Sequence, residues 1–139
     1  MTSQKIKETV LFICKHNSAR SQMAEGLLKS LYKDSYDVYS AGSNPSTLNP
    51  YTIKVMGEAG VDISMNKSKS LNEFKGVEFD YVVTVCGGEG EFCPFFPGGK
   101  KYIHQSFDDP TIFNGNDDEI IVVFRRVRDE IVEWIKKTF

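Results

Sequence analysis

Two rhythms of apolar and polar positions run along the chain, one of strand type and one of helix type. Residues 9–14, TVLFIC, are a continuous β-branched and aromatic run of strand length, the pattern of a strand buried on both faces. Residues 21–33 carry Met23, Leu27 and Leu31 at helical spacing. Residues 36–42, YDVYSAG, alternate as a strand does and stop at Gly42. The stretch 49–60 predicts a helix, with Asn49 as N-cap, Pro50 in the first turn and Gly60 as C-cap. Residues 80–88, DYVVTVCGG, predict a second buried strand, and 101–107, KYIHQSF, a weaker one. Near the C-terminus Ile120, Phe124, Val127, Ile131 and Trp134 recur at steps of three and four. They line one helical face, which leaves Arg125, Arg126, Asp129 and Lys136 to solvent.

Strands that alternate with helices predict an α/β fold of three layers, a central four-stranded parallel sheet with helices on both faces. The length of 139 residues predicts one domain, 1–139, with a sizeable core. In such sheets ligands bind beyond the carboxyl ends of the strands. Cys14 and Cys86 each close a predicted strand, so they are expected on one rim. Composition narrows the function. With 26% charged residues and a net charge of −2, nothing points to general nucleic-acid binding, and an anion site has to be local. The apolar run near the N-terminus, about five residues, is too short for a signal core or a membrane span. A cytoplasmic location is therefore expected. There a reducing thiol pool makes the three cysteines reactive groups rather than permanent staples.

The segment CKHNSAR, residues 14–20, leads from a strand end into a helix N-terminus. Backbone N–H groups at such a terminus lack helical partners, and the helix dipole adds partial positive charge. Arg20 adds a full charge and a planar fork suited to two oxyanion oxygens. Together they make a cradle for a tetrahedral oxyanion. The same setting favours a thiolate at Cys14. Asn17 is the residue best able to take a left-handed conformation. Ser18 and Ser21 can donate to Cys14 or to the anion, while Lys15 and His16 add local charge that steers anions. The bland alternative is a core cysteine beside a solvated arginine, which the strand–loop–helix context disfavours.

CGGEGEFC, residues 86–93, has three glycines and a single bulky residue, Phe92, between its cysteines. Such a segment can change conformation cheaply, and thiol–disulfide exchange requires one sulfur to approach another. Two inert buried thiols are the plain alternative. Zinc is a poor one, because close cysteine pairs are absent and only His16 and His104 could assist. Asp108 and Asp109 precede Pro110, where they could open a surface turn or serve as an acid.

VLFICKHNSARSQMAEG closely resembles the signature of the low-molecular-weight protein tyrosine phosphatase fold, and within it the thioredoxin-coupled arsenate reductases. VYSAG (38–42), NP (49–50), VDIS (61–64), VVTVC (82–86), FDDP (107–110) and RRVRDEI (125–131) follow in that family's order. The resemblance implies that Cys14, Lys15, His16, Asn17, Ser18, Ala19, Arg20 and Ser21 bind the oxyanion. It implies that Cys14 attacks arsenate and that Cys86 then attacks Cys14, releasing arsenite. Cys93 next moves the disulfide to Cys86–Cys93, an exposed bridge that thioredoxin reduces. Asp109 inherits the role of general acid, or Asp108 if the loop is shifted by one. Phosphate and sulfate would compete with arsenate. The implied chain is monomeric, with no bound cofactor, resident metal, nucleic acid or membrane partner.

Some members of the family hold potassium beside the loop, at positions matching Asn17, Glu25, Ser40 and Lys69. A lysine at the last position would repel the cation and pair with Glu25, which implies independence of potassium. The competing reading is a phosphatase acting through a Cys14 phosphoenzyme, against which DDPTIF lacks the tyrosines that grip an aromatic ester. A non-catalytic anion binder or redox sensor would have no use for Cys14, Arg20 and Asp109 together.

Overall fold

The computed structural model describes residues 7–87 and 91–139. Its centre is a four-stranded sheet of β1 (Glu8–Cys14), β2 (Tyr36–Gly42), β3 (Phe79–Thr84) and β4 (Gly99–His104), in the order β2-β1-β3-β4 and parallel throughout. Among the described residues three α-helices complete it: α1 (Arg20–Leu31), α2 (Pro50–Glu58) and α3 (Asp117–Thr138). None of the described helices is long and apolar enough to cross a membrane.

The unbroken apolar run of β1 is explained by its place between β2 and β3, with both faces covered. Val10, Phe12 and Cys14 pack with Met23, Leu27 and Leu28 of α1, Val55 and Met56 of α2, and Phe124, Val127 and Ile131 of α3. Leu11 and Ile13 turn to the opposite face and pack with Ala41, Phe79, Val82 and Phe96. That second cover is thinner. A 3-10 turn, Leu71–Phe74, supplies Leu71 and Phe74 there.

Boundaries shift from those the pattern predicts. β3 ends at Thr84 rather than running to residue 88, so Cys86 lies two residues past the strand. Val85 and Cys86 are nonetheless fully buried, and Val85 N–H still donates to Ile13 O at 3.0 Å. Burial thus carries the apolar run beyond the strand, one residue past this last backbone hydrogen bond to β1. Asn49 caps α2 through a bond from Tyr51 N–H, with Pro50 at the first turn. The helix stops at Glu58, with Ala59 as its cap, and Gly60 just beyond takes φ +80°. The buried stripe of α3 is Ile121, Phe124, Val127, Ile131 and Ile135, while Ile120 and Trp134 flank it half-buried.

The chain leaves β1 toward β2 on one side and later places β3 on the other. The carboxyl end of β1 is therefore the point where the strand order reverses, the usual ligand crevice of an open parallel sheet.

Candidate active site

Residues 14–20 occupy that crevice. Cys14, the last residue of β1, is 2% exposed, and its Sγ lies 2.9 Å from Ser21 Oγ. Asn17 takes φ 50°, the left-handed turn expected of it, and its buried amide is the hub of the loop. Nδ2 donates to Ser21 Oγ at 2.8 Å and to Ser40 Oγ at 2.9 Å. Oδ1 accepts from Gln22 Nε2 at 2.9 Å and from Lys69 N–H at 2.8 Å. α2 clasps the loop from outside, because Asn49 N–H and Thr52 Oγ1 both donate to Ser18 O. Gly42 permits the close approach of β2. A Cβ there would lie 2.5 Å from Lys15 O and 2.9 Å from Asn17 N.

The capping of α1 differs from that of its neighbours. α3 begins with a capping box at Asn116 and three acids in its first turn. α1 has neither a side-chain cap nor a first-turn acid. Its orphan N–H groups and dipole thus favour an external anion.

Arg20 is 3% exposed. Nη1 donates to Phe107 O at 3.1 Å, and Phe107 is itself anchored in the core, edge-on to Trp134. Nη1 and Nη2 also meet the two carboxylate oxygens of Glu91, at 2.7 and 2.6 Å. Burial alone works against the arginine charge. The Glu91 bond and the negative charge of Asp109 and Cys14 outweigh it, and the pKa sits above the ordinary arginine value.

Of the two aspartates, Asp109 belongs to the crevice. Its Oδ2 is 3.5 Å from Arg20 Nη2, and Oδ1 accepts from Thr111 N–H and Oγ1, which fixes the side chain at the start of the 3-10 turn Pro110–Ile112. Asp108 faces solvent and pairs with Arg126 at 3.0 Å. Cys14, His16, Ser18, Ala19, Arg20 and Asp109 line a cavity of about 10 Å³. Lys15 is exposed, and His16 Nδ1 lies 2.9 Å from Asn44 O.

Cys86 and Cys93 form a disulfide, and Cys14 is free. Cys86 Sγ lies 3.7 Å from the carbonyl oxygen of Ile13, the residue before Cys14, so the rim expected to hold both does hold both. The bridge is less exposed than expected. Cys86 is wholly buried and Cys93 half-buried, which leaves Cys93 as the sulfur an outside thiolate could reach.

Beside the loop, Ser40 Oγ donates to Glu25 Oε1 at 2.7 Å, and Lys69 Nζ lies 3.8 Å from the same oxygen. Lys29 pairs with Glu25 Oε2 at 3.1 Å. Sequence reasoning missed two participants, Gln22 and Glu91. The only signal for Glu91 was that two acids, Glu89 and Glu91, stand between the two cysteines.

Comparison with known proteins agrees with this geometry. The family model for low molecular weight phosphotyrosine protein phosphatase matches residues 9–139. An arsenate reductase of Halalkalibacterium halodurans is 45% identical over 130 residues, 94% of each chain. Among solved structures, an arsenate reductase in the phosphate binding state superposes with a TM-score of 0.78 at 33% identity, covering 94% of this chain and 95% of that one. A thioredoxin-dependent arsenate reductase of Corynebacterium glutamicum gives a TM-score of 0.64 at 34% identity, covering 96% of this chain and 64% of that one.

Proposed function

Since the chain belongs to the low molecular weight phosphotyrosine protein phosphatase family, we propose that it uses that scaffold to reduce arsenate rather than to hydrolyse esters. The observation that carries this reading is the pairing of Cys86 with Cys93 beside a free, buried Cys14. A phosphatase needs no second and third thiol on the same rim. A relay ends with this pairing.

The steps follow from the placement. Arg20 and the N–H groups at the start of α1 hold arsenate above Cys14. The Cys14 thiolate attacks arsenic, and Asp109 gives a proton to the departing oxygen. Cys86 then attacks Cys14 Sγ. The S–As electron pair passes to arsenic, which leaves as arsenite, and a Cys14–Cys86 disulfide forms. Attack by Cys93 on Cys86 expels the Cys14 thiolate and leaves the Cys86–Cys93 bridge. A dithiol reductant, thioredoxin on this reading, attacks the accessible Cys93 sulfur and restores both thiols. Such a reductant places the protein in the cytoplasm. The whole chain acts as one domain and as a monomer.

Arsenate-dependent NADPH oxidation with thioredoxin and its reductase tests the reading. Wild type should turn over, Cys86→Ser and Cys93→Ser should stall, and Cys93→Ser should accumulate a Cys14–Cys86 disulfide detectable by alkylation and mass spectrometry. Rapid phosphoester hydrolysis with no arsenate-driven disulfide would favour the phosphatase instead. The Lys69 ammonium beside Glu25 does the work of a bound cation, so activity and Tm should be the same in potassium and sodium chloride. A rise specific to potassium would contradict this.

A further inference from the structure

Glu91 lies between the relay cysteines, yet its carboxylate sits on the arginine that the oxyanion needs. The two oxygens take Arg20 Nη1 and Nη2 at 2.7 and 2.6 Å, in the forked geometry with which arginine binds two oxygens of an oxyanion. Gly87 N–H donates to Glu91 Oε1 at 3.0 Å. Gly87 follows Cys86, and Glu91 stands two residues before Cys93. The disulfide joins cysteines seven residues apart at a Cα–Cα distance of 5.6 Å, so bridge and carboxylate belong to one closed ring. The crevice beside that ring holds about 10 Å³, room for one water at most.

We propose that Glu91 competes with the oxyanion for Arg20 and that the Cys86–Cys93 bridge enforces this competition, so the oxidised protein rejects its substrate until it is reduced. An incoming dianion meets Glu91 and, 3.5 Å from Arg20 Nη2, Asp109. Two carboxylates already share the one guanidinium, and a third anion is disfavoured by like charge. The chemistry gives the device a purpose. While Cys86 is locked to Cys93, an arsenate adduct on Cys14 would have no resolving thiol and would idle. Once the bridge is cut the ring opens, and Glu91 is no longer closed over Arg20. The inference rests on the relay, but its test does not use turnover.

The test is calorimetric titration of inorganic phosphate into four samples: wild type and Glu91→Gln, each with the bridge intact and after phosphine reduction. Alkylation counts the thiols in each. With the bridge intact, Glu91→Gln should bind phosphate about tenfold more tightly than wild type. After reduction the two proteins should agree within about twofold. Equal or weaker binding by bridged Glu91→Gln would overturn the proposal and make Glu91 only a support for Arg20. An equal gain in both redox states would also overturn it, because the bridge would then play no part. Should arsenate fail to drive disulfide formation, the relay would fall, but the bridge can still be set with a chemical oxidant and the phosphate comparison made.

Discussion

Two segments carry the thiols, one leaving β1 and the other leaving β3, and they are held in opposite ways. The loop after β1 is buried from Asn17 through Ser21. It is tied to β2 by Ser40, to residues 67–69 by Gln22 and Lys69, and to α2 by Ser18. The segment after β3 is glycine-rich, with Phe92 and Phe95 largely exposed. Between Gly87 and Cys93 its described anchors include the disulfide, the Glu91 carboxylate and a bond from Ser106 Oγ to Gly87 O, with Phe96 seated in the core beyond them. The difference follows from the work each does. A cradle for a tetrahedral transition state gains by being built before the substrate arrives. A relay thiol has to meet two different sulfurs, so rigidity there would defeat it.

The comparison breaks most readily at Asn17. Alanine there would take one partner each from Ser40 Oγ, Gln22 Nε2 and the Lys69 N–H, and would place an ordinary side chain at φ 50°. A loss of roughly 3–5 kcal/mol is expected in urea unfolding, with phosphate binding abolished. Asn17→Asp keeps the turn and the acceptor but loses both donors, so it should fall between. A loop that binds phosphate normally without Asn17 is not held as described.

The next effect isolates the acid. Asp109→Asn should lower kcat for arsenate by about 10²-fold or more while phosphate affinity stays the same or rises. Asp108→Asn, whose parent side chain reaches only Arg126 among the contacts seen here, should change kcat by about twofold at most. The reverse ranking would exchange the two roles.

Gly87→Ala probes the second segment. Gly87 has φ +92°, and a Cβ there would lie 3.1 Å from His104 Cε1 and 3.5 Å from Cys93 Cβ. The backbone strain costs about 1–2 kcal/mol, borne by the bridged state. Rapid-quench alkylation should find transfer of the disulfide to Cys86–Cys93 slowed, with Cys14 adduct formation unchanged. If adduct formation slows equally, the two segments are not as independent as their anchoring suggests.

The same contrast explains what could be read from the chain. The loop after β1 was legible because its chemistry is local. Strand end, left-handed Asn17, helix N-terminus and Arg20 lie within seven residues, and each type has a physical reason for its place. The strands and α3 were legible from periodicity, although an apolar stripe wider than one row let Trp134 stand in for Ile135. Leu31 matched the helical spacing but is 40% exposed, in a last turn whose neighbours Lys29 and Ser30 are exposed too. The end of β3 was misplaced because burial, which the residue types report, continues past hydrogen-bond pairing, which they do not. Glu91 was illegible because its partner is 71 residues away. One of two acids among glycines looks the same whether it faces water or an arginine.

The smallest expected effect lies outside both segments and sets the baseline for them. Glu58 ends α2 and is clamped by α3, through Arg125 Nε at 2.9 Å and Nη2 at 2.7 Å, and Arg128 Nη1 at 3.1 Å. The bond from Arg125, with the further pull of its charge and of Arg128, lowers the Glu58 pKa from 4.5 to about 2 despite some desolvation. A carboxylate whose pKa is depressed on folding stabilises the fold fully above its unfolded value. That contribution fades as pH falls below 4.5 and is gone once pH drops through about 2. The pair is open to solvent, so its effect is modest and weakens with salt. Wild type should therefore have a slightly higher Tm than Glu58→Gln at neutral pH, with the two curves converging near pH 2. Phosphate affinity at neutral pH should be identical in both, because α2 touches the loop through Asn49 and Thr52 at its opposite end. A Glu58→Gln variant that loses phosphate binding would show that the cradle draws its rigidity from the whole α2–α3 contact, rather than from the hydrogen bonds around Asn17.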